Sequence, residues 1–546
     1  MIIMDIKVDN IYAFKDFHIN MSYPKKIVNS TIENEFLEER TNFRYKKVNI
    51  IMGTNATGKT TMGKLLMLFT NYLNDGGYKR FTNRIADVKK AAKLQIDFVT
   101  NENLLYRFEM NVGPKTQKSY TEEDVDIKIY YTPIETRDSY ETCASRLDMY
   151  ECEETTYEKV NTNGWKFSYP IDSSGDKVYS TIEENSKYIY ILQQILKTLD
   201  SSVEEVVKVS EVENTYVIKW KNCSAIIKDG KIANGEVMSS GTKAGLEISY
   251  IITSLLCDMH DLYYCDELFS YVNSDIEKAC LSIIIEKLSG RKQLFFTTHN
   301  SDILDMQLPK HSFTFLKKDV NNEDDSIKCI AASQYLKRST DSLKHAVEND
   351  LFCTAPELHR LFEIADLLLG GMQMRKSGIY QYYVEGEDER SLLNTLKLDL
   401  RCIESGKIDK FNVIQSRFTT ARMRTLKTGT TVVLVYDTDV EMNTKILDEN
   451  IAFLKRQKGI KEVICIPQVR NLEDELVRAC NIKNIVDLTK SLTKADYKRD
   501  LINCSNLSDR LKKCKFDITK IWAEIPKNNF KKYGNDSEKI KIKSKK

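Results

Sequence analysis

The chain has 546 residues, 42% of them hydrophobic and 29% charged, which excludes a disordered chain and fits a globular one. Its length exceeds a single hydrophobic core and predicts two or more domains, and only 8 prolines exclude long proline-rich linkers. The 81 basic and 79 acidic residues nearly cancel, so any surface for nucleic acid has to be local.

The first residues, Met1-Ile2-Ile3-Met4-Asp5-Ile6, carry an early acid and no basic start, unlike a signal peptide. Residues 2–14 predict a strand, a turn at Phe14-Lys15-Asp16 and a second strand through His18-Ile19-Asn20. A polar segment, 22–44, follows. Val48 to Met52 is a mostly apolar, β-branched run that predicts a buried strand. It leads into Gly53-Thr54-Asn55-Ala56-Thr57-Gly58-Lys59-Thr60, which fits the pattern G-x-x-x-x-G-K-[ST] at every constrained position. Met62, Leu65, Leu66, Phe69 and Leu73 then recur at helical spacing. Strand, glycine loop and helix in that order aim backbone N–H groups and a helix N-terminus at an anion. The candidate nucleotide contacts are Gly53, Asn55, Gly58, Lys59, Thr60 and Thr61. Lys59 would reach the β- and γ-phosphates of ATP, and the Thr60 hydroxyl would bind Mg²⁺. The plain alternative is a chance glycine loop, and the flanking strand and helix argue against it.

Residues 94–99 and 105–110 alternate as a hairpin does. From about 115 to 185 the periodicity fades, and an insertion around 115–235 is expected within the first domain, with a helix over 187–199 and a hairpin at 216–220 and 224–227. Next come Met238-Ser239-Ser240-Gly241-Thr242-Lys243, a helix to Leu256, a strand ending in Asp266-Glu267, and a strand leading to His299. A bound nucleotide needs a metal, a water polariser and a γ-phosphate sensor. Asp266 suits the metal, Glu267 the attacking water and His299 the γ-phosphate, while Ser240 and Gly241 open a helix and offer a second anion site. Taken alone, His299 would read as a satisfied strand-end histidine.

This order resembles the ATP-binding-cassette (ABC-type) ATPases, in their SMC-like branch. The resemblance implies a homodimer or higher oligomer formed through the ATPase heads, with ATP sandwiched between them. Two motifs depart from the class: the signature reads S-S-G-T-K rather than L-S-G-G-Q, and Leu268-Phe269-Ser270-Tyr271-Val272-Asn273 matches the usual D-loop poorly. The first domain is expected at 1–318, with an acidic boundary loop at 319–327 and a helical bridge over 319–377.

From residue 378 the pattern changes to βαβ, with strands at 379–384, 431–436 and 463–467. Parallel strands present their C-terminal ends on one edge, where Glu385, Asp437 and Asp439 would meet, and Glu389 could lie on the same face as Glu385. Gathered carboxylates repel unless cations neutralise them, and hard oxygen ligands suit Mg²⁺ or Mn²⁺. Two such ions support phosphodiester cleavage. Acidic pairs at strand ends are otherwise often solvated turns.

A glutamate after the first strand and D-x-D after a later one resemble the Toprim domain, a Rossmann-like α/β fold. An ABC-type ATPase followed by Toprim resembles the OLD (overcoming lysogenization defect) family of nucleases. That family includes anti-phage effectors of the retron-associated and Gabija kinds. The resemblance implies an α/β protein, with 378–546 as an endonuclease domain acting on DNA. Catalysis would rest on Glu385, Glu389, Asp437 and Asp439, with Glu473 or Glu475 as a later metal-binding carboxylate and Lys527 as the transition-state lysine. Its partners would include a reverse transcriptase with its noncoding RNA/DNA, or a helicase. The other function left open is a non-catalytic, ATP-dependent nucleic-acid-binding scaffold or clamp. The basic end, Lys541-Ile542-Lys543-Ser544-Lys545-Lys546, reads as a solvated tail or as added phosphate contact. Thirteen scattered cysteines without a C-x-x-C pair predict reduced thiols in the cytoplasm, and the longest apolar stretches, such as 248–257, are too short to span a membrane.

Overall fold

Apolar runs of two kinds, alternating and continuous, build the first of two units, Met1–Lys318 with Ser326–Leu343. The computed structural model describes every residue except 28–29, 163, 170–178, 183–185, 234, 319–325, 339–340, 355–379, 420–421, 424, 428, 440–443, 505, 528 and 543–546. The strands that matter here are β1 (Ile2–Asp9), β2 (Phe17–Asn20), β3 (Val48–Met52), β4 (Ala92–Val99), β5 (Leu104–Val112), β6 (Val125–Pro133), β7 (Trp165–Ser168), β8 (Leu262–Asp266), β9 (Gln293–Thr297), β10 (Phe313–Lys318) and β11 (Ile327–Ala331). The helices are α1 (Lys59–Asp75), α2 (Ser186–Leu199), α3 (Ser240–Leu256) and α4 (Ser274–Glu286).

The alternating runs form an antiparallel sheet in the order β2-β1-β4-β5-β6, closed by Glu153–Thr155. The continuous runs form the second sheet, β7-β8-β9-β3-β10-β11, which is parallel except for β11. Helix α1 lies between them. Its Met62, Leu65, Leu66, Phe69 and Leu73 share one core with Ile96, Phe98 and Phe108 of the first sheet and Tyr264 and Phe295 of the second. Each such side chain, fully buried, contributes about 1.5–3 kcal/mol. The helix starts where Gly58 takes a left-handed φ of 95° and stops at Gly76, whose N–H bonds to Tyr72.

Three expectations need correction. The described parts of 115–185, expected as an insertion of uncertain structure, are built into both sheets: β6 pairs along the whole of β5, and β7 joins the parallel sheet beside β8. Along 125–133 the residues Val125, Ile127, Ile129 and Tyr131 do alternate with Asp126, Lys128 and Tyr130, a strand pattern that the weak periodicity of the wider stretch obscured. The first unit also does not end at residue 318, because β11 pairs antiparallel with β10 and carries it to Leu343. Lastly, the expected 2–14 strand stops at Asp9, and Asn10 and Tyr12 turn with positive φ. The part of 115–235 that does stand apart is a small four-stranded antiparallel sheet, from Val203–Lys208 to Lys231–Ile232, whose core includes Tyr188 and Leu192 of α2 and Leu246 and Tyr250 of α3. Of the expected helical bridge, Leu343–Glu348 is a helix, and 355–379 lies outside the described residues.

The second unit runs from Lys344 to Lys546. Its strands are β12 (Tyr380–Val384), β13 (Gly406–Lys410), β14 (Thr430–Asp437) and β15 (Ile460–Gln468). They form a parallel sheet in the order β13-β12-β14-β15. Apolar cores cover both faces, Val433 and Val435 pointing to one and Val432 and Leu434 to the other, which is why β14 reads as an unbroken hydrophobic run. The chain leaves β12 to one side for β13 and crosses to the other for β14. That reversal opens a crevice at the C-terminal ends of β12 and β14, where ligands of open α/β sheets bind. Strand β13 was missed, since Gly406-Lys407-Ile408-Asp409-Lys410 carries a single large apolar residue. Among the described residues, no helix is long and apolar enough to cross a membrane.

Candidate functional site

In the first unit the ends of three adjacent parallel strands, β8, β9 and β3, converge on the glycine loop. Lys59 Nζ donates to the carbonyls of Gly53 (2.9 Å) and Thr54 (3.2 Å) and lies 3.4 Å from Glu267 Oε1. Burial lowers its proton affinity, against the pull of Glu267 and Asp266. Thr60 Oγ1 donates to Asp266 Oδ2 at 2.6 Å, and Thr297 Oγ1 holds the other Asp266 oxygen at 2.7 Å. Asp266 is fully buried, and burial raises its proton affinity while the two hydroxyls oppose that. Glu267 has a left-handed φ of 46°, which turns its carboxylate back to meet His299 Nε2 at 2.7 Å. Lys59, Thr60, Asp266, Glu267 and His299 thus form one contiguous cluster. Asn55 is exposed and Thr61 half-buried. A Cβ added at Gly53 would sit 2.5 Å from the Leu316 carbonyl, so the loop tolerates no side chain there. These residues fit a nucleotide triphosphate with its magnesium: an ammonium beside a glycine cradle and a hydroxyl–carboxylate pair. Ser240 and Gly241 open α3, capped by Ser239 Oγ accepting from Thr242 N.

In the second unit Glu385 follows β12, and Asp437 ends β14. Helix α5 (Glu387–Asn394) begins just after Glu385, α6 is Leu472–Ala479, and α7 (Tyr497–Ile502) packs on α5. Glu385 Oε2 accepts from Asn412 at 3.2 Å, while Glu385 Oε1 and Asp437 Oδ1 are buried without a hydrogen-bond partner among the described residues. Burial pushes the Glu385 carboxyl up to about 7; the Asp437 N–H opposes this, and Asp439 adds to it. Burial, with the charges of Glu385 and Asp439, pushes Asp437 up to about 8. Glu389 is also raised, by burial and then Asp388, and one of its oxygens accepts from Gly386 N at 2.7 Å, capping α5. The Tyr497 hydroxyl is raised mainly by burial, and the charges of Asp388, Glu473, Asp437 and Glu389 add to it. Asp439 is exposed and accepts from Asn471 at 3.4 Å.

The donor set is all oxygen, and two of its buried oxygens lack partners, which fits a hard divalent cation. Among the described residues, no three His, Cys, Asp or Glu side chains lie close enough together to hold a metal ion as they stand.

Two predicted residues stand elsewhere. Glu475 is fully buried, but it accepts from Val469 N and Trp522 N, both at 2.8 Å, and pairs with Arg478 at 2.6 Å. Its carboxylate fastens α6 to its surroundings. Lys527 is exposed and pairs with no carboxylate among the described residues, whereas Lys498 Nζ lies 3.4 Å from Asp388 Oδ2. Burial would lower the Lys498 ammonium, but Asp388 and Glu389 outweigh it and hold it above its ordinary range.

The sequence reading also missed Gln468. It is the register partner of Asp437 and is 0% exposed, and neither of its amide atoms has a hydrogen-bond partner among the described residues. Thr438 pins this edge by donating through Oγ1 to the Gln468 carbonyl at 2.7 Å.

No family model matches the chain, and no curated protein matches it. Among solved structures it is similar to an SMC head bound to the C-winged helix domain of ScpA, at 13% identity over 64% of this chain and 99% of that one, with a TM-score of 0.35. It is also similar to the SMC head domain from Thermotoga maritima, at 10% identity over 61% and 99%, TM-score 0.30. A third is the recombination mediator protein RecF with ATP, at 12% identity over 60% and 98%, TM-score 0.28.

Proposed function

We propose that the chain is an ATP-binding, metal-dependent DNA endonuclease of the OLD type, its ABC-type ATPase unit gating cleavage by a Toprim unit. The observation that carries the nuclease half is the pair of partnerless buried oxygens, on Glu385 and Asp437, at the crevice of an all-parallel sheet. The ATPase half rests on the Thr60–Asp266 pair at 2.6 Å beside Lys59, Glu267 and His299.

In this reading Lys59 leaves the loop carbonyls to neutralise phosphate charge, Glu267 orients the attacking water and His299 faces the γ-phosphate. Glu385, Asp437, Asp439, Glu389 and Glu473 would hold Mg²⁺ or Mn²⁺, which when bound activates water and stabilises the leaving oxygen. Lys498 supplies the positive charge beside them. Dimerisation through the ATPase heads, an anti-phage role, and a reverse transcriptase or helicase partner extend the proposal by family resemblance. The test is cleavage of supercoiled and single-stranded DNA with either metal, with and without ATP, by wild type, Glu385→Ala and Lys59→Ala. Cutting that disappears in Glu385→Ala supports the nuclease, and the Lys59 variant then reports what ATP does. A wild type that cuts neither substrate, even with a candidate partner, sinks the reading in favour of an ATP-dependent clamp.

A further inference from the structure

His299 is 41% exposed on its side chain, yet the residues on either side of it are held firmly. Thr298 Oγ1 donates to Glu277 Oε1 at 2.8 Å, and Asn300 Nδ2 donates to Glu277 Oε2 at 2.7 Å. One carboxylate therefore brackets the histidine, one oxygen to each neighbour. Glu277 itself is only 3% exposed and sits in the first turn of α4. A buried carboxylate is costly unless both oxygens are engaged, and here both are engaged by this one loop.

The rest of the bracket is rigid as well. Asn300 N donates to Thr298 Oγ1 at 3.0 Å, Asn300 Nδ2 also donates to Ser274 Oγ at 2.9 Å, and Ser274 Oγ donates to Asp302 at 2.7 Å. Thr298 N reaches the Ile51 carbonyl of β3, the strand that feeds the glycine loop. Helix α4 is in turn the continuation of the stretch after Glu267: Ser270 N bonds to the Glu267 carbonyl, and Asn273 caps α4 through Asp275 N. The backbone on both sides of the Glu267–His299 contact is thus tied to α4, and Glu277 makes the tie on the histidine side.

We infer that Glu277 is a positioning residue for ATP hydrolysis, holding Thr298 and Asn300 so that His299 faces Glu267 and the γ-phosphate. The inference rests on the ATPase reading above. Glu277 is buried with both oxygens taken by Thr298 and Asn300, so its effect passes through His299. Its charge is not what the geometry needs. A glutamine can accept from Asn300 through its oxygen and donate to Thr298 Oγ1 through its nitrogen.

The test compares wild type, Lys59→Ala, His299→Ala, Glu277→Ala, Glu277→Gln, Thr298→Val and the Glu277→Ala/His299→Ala double variant. Steady-state ATP hydrolysis gives kcat and KM, and displacement of a fluorescent ATP analogue gives nucleotide affinity. Glu277→Ala is expected to lower kcat by about 10- to 100-fold, the scale of a small misplacement at a reacting centre. Nucleotide affinity should stay within about twofold, since the glycine loop is untouched. Glu277→Gln should keep kcat close to wild type, Thr298→Val should fall between the two, and the double variant should be no slower than His299→Ala. Wild-type hydrolysis no faster than that of Lys59→Ala overturns the ATPase reading itself. Normal hydrolysis by wild type with an unchanged kcat in Glu277→Ala, or losses that multiply in the double variant, overturns only the role of Glu277. Should Glu277→Ala fail to fold, Thr298→Val and Glu277→Gln decide: a Thr298→Val enzyme as fast as wild type counts against the inference.

Discussion

Asp437→Asn separates the stability of the carboxylate edge from its proposed chemistry. Asp437 Oδ1 and Glu385 Oε1 are both buried and partnerless. Leaving one buried polar group unsatisfied costs about 1–3 kcal/mol, and more when it is charged. An amide of the same shape is neutral without a proton, whereas the folded carboxyl stays neutral below about pH 8 only by holding one that the unfolded chain would release. In chelator, the variant should therefore match wild type or exceed its stability by up to about 3 kcal/mol. Metal reverses the order, because a ligand bound only by the folded state adds about 2.7 kcal/mol at a hundred times its Kd. Wild type should gain that much from Mg²⁺ or Mn²⁺, and the variant should gain little.

The pH dependence follows from the same groups. Burial pushes the Asp437 carboxyl up to about 8 and Glu385 up to about 7. An acid raised on folding stabilises the fold at low pH, and that contribution is lost as pH climbs from the unfolded value through the folded one. Metal-free wild type should thus weaken progressively up to about pH 8, while Asp437→Asn weakens less, and metal affinity should rise over the same window as protons leave. Calorimetry in chelator and in a metal series would measure this, with hydrogen exchange of Thr430–Asp437 assigning the transition to the second unit. An Asp437→Asn protein that is clearly less stable in chelator, or that gains as much from metal as wild type, refutes the reasoning.

Lys498→Ala should abolish DNA cleavage while Lys527→Ala leaves it near wild type, because only Lys498 stands at the carboxylates; equal losses in a cleavage assay would contradict this. Glu475→Ala should cost about 2–4 kcal/mol in urea unfolding, since two backbone N–H groups lose their acceptor, yet leave metal affinity of the folded fraction unchanged. Gln468→Met should be neutral or stabilise by about 1 kcal/mol, because it removes an amide with no partners, and should lower cleavage, because that amide adjoins Asp437. A destabilised Gln468→Met with full cleavage would assign the amide to the core alone.

The legible parts of this chain are those in which local pattern and chemistry coincide. The glycine loop was readable because the strand, loop and helix that make an anion site are consecutive, from Val48 to Asp75. Asp266, Asp437 and Glu385 were readable because each stands where an apolar run stops. Glu473 and Glu475 could not be separated, since they are two residues apart at the start of one helix and only packing decides which faces inward. Lys498 was out of reach for a different reason. It meets Asp388 across more than a hundred residues of chain, through the packing of α7 on α5, and no spacing rule encodes that.

Both clusters use one device, the C-terminal edge of a parallel sheet, and in both the missed residues are those that hold the strand ends. Glu277 steadies the loop after β9, Thr438 and Gln468 the turn after β14. A reacting carboxylate or histidine is announced by its place at a strand end, because the hydrophobic run must break there. Its support is not announced, because a buried glutamate on a helix flank has the same local sequence whether it braces a loop or only a fold. The distinction lies in which atoms it bonds. For Glu277 both oxygens go to the neighbours of one exposed histidine, whereas for Glu475 they go to two backbone N–H groups 53 residues apart in sequence, counted from Val469 to Trp522. The first arrangement fixes the direction of a side chain and the second fixes the docking of a helix. Substitution should therefore move kcat in one case and unfolding free energy in the other.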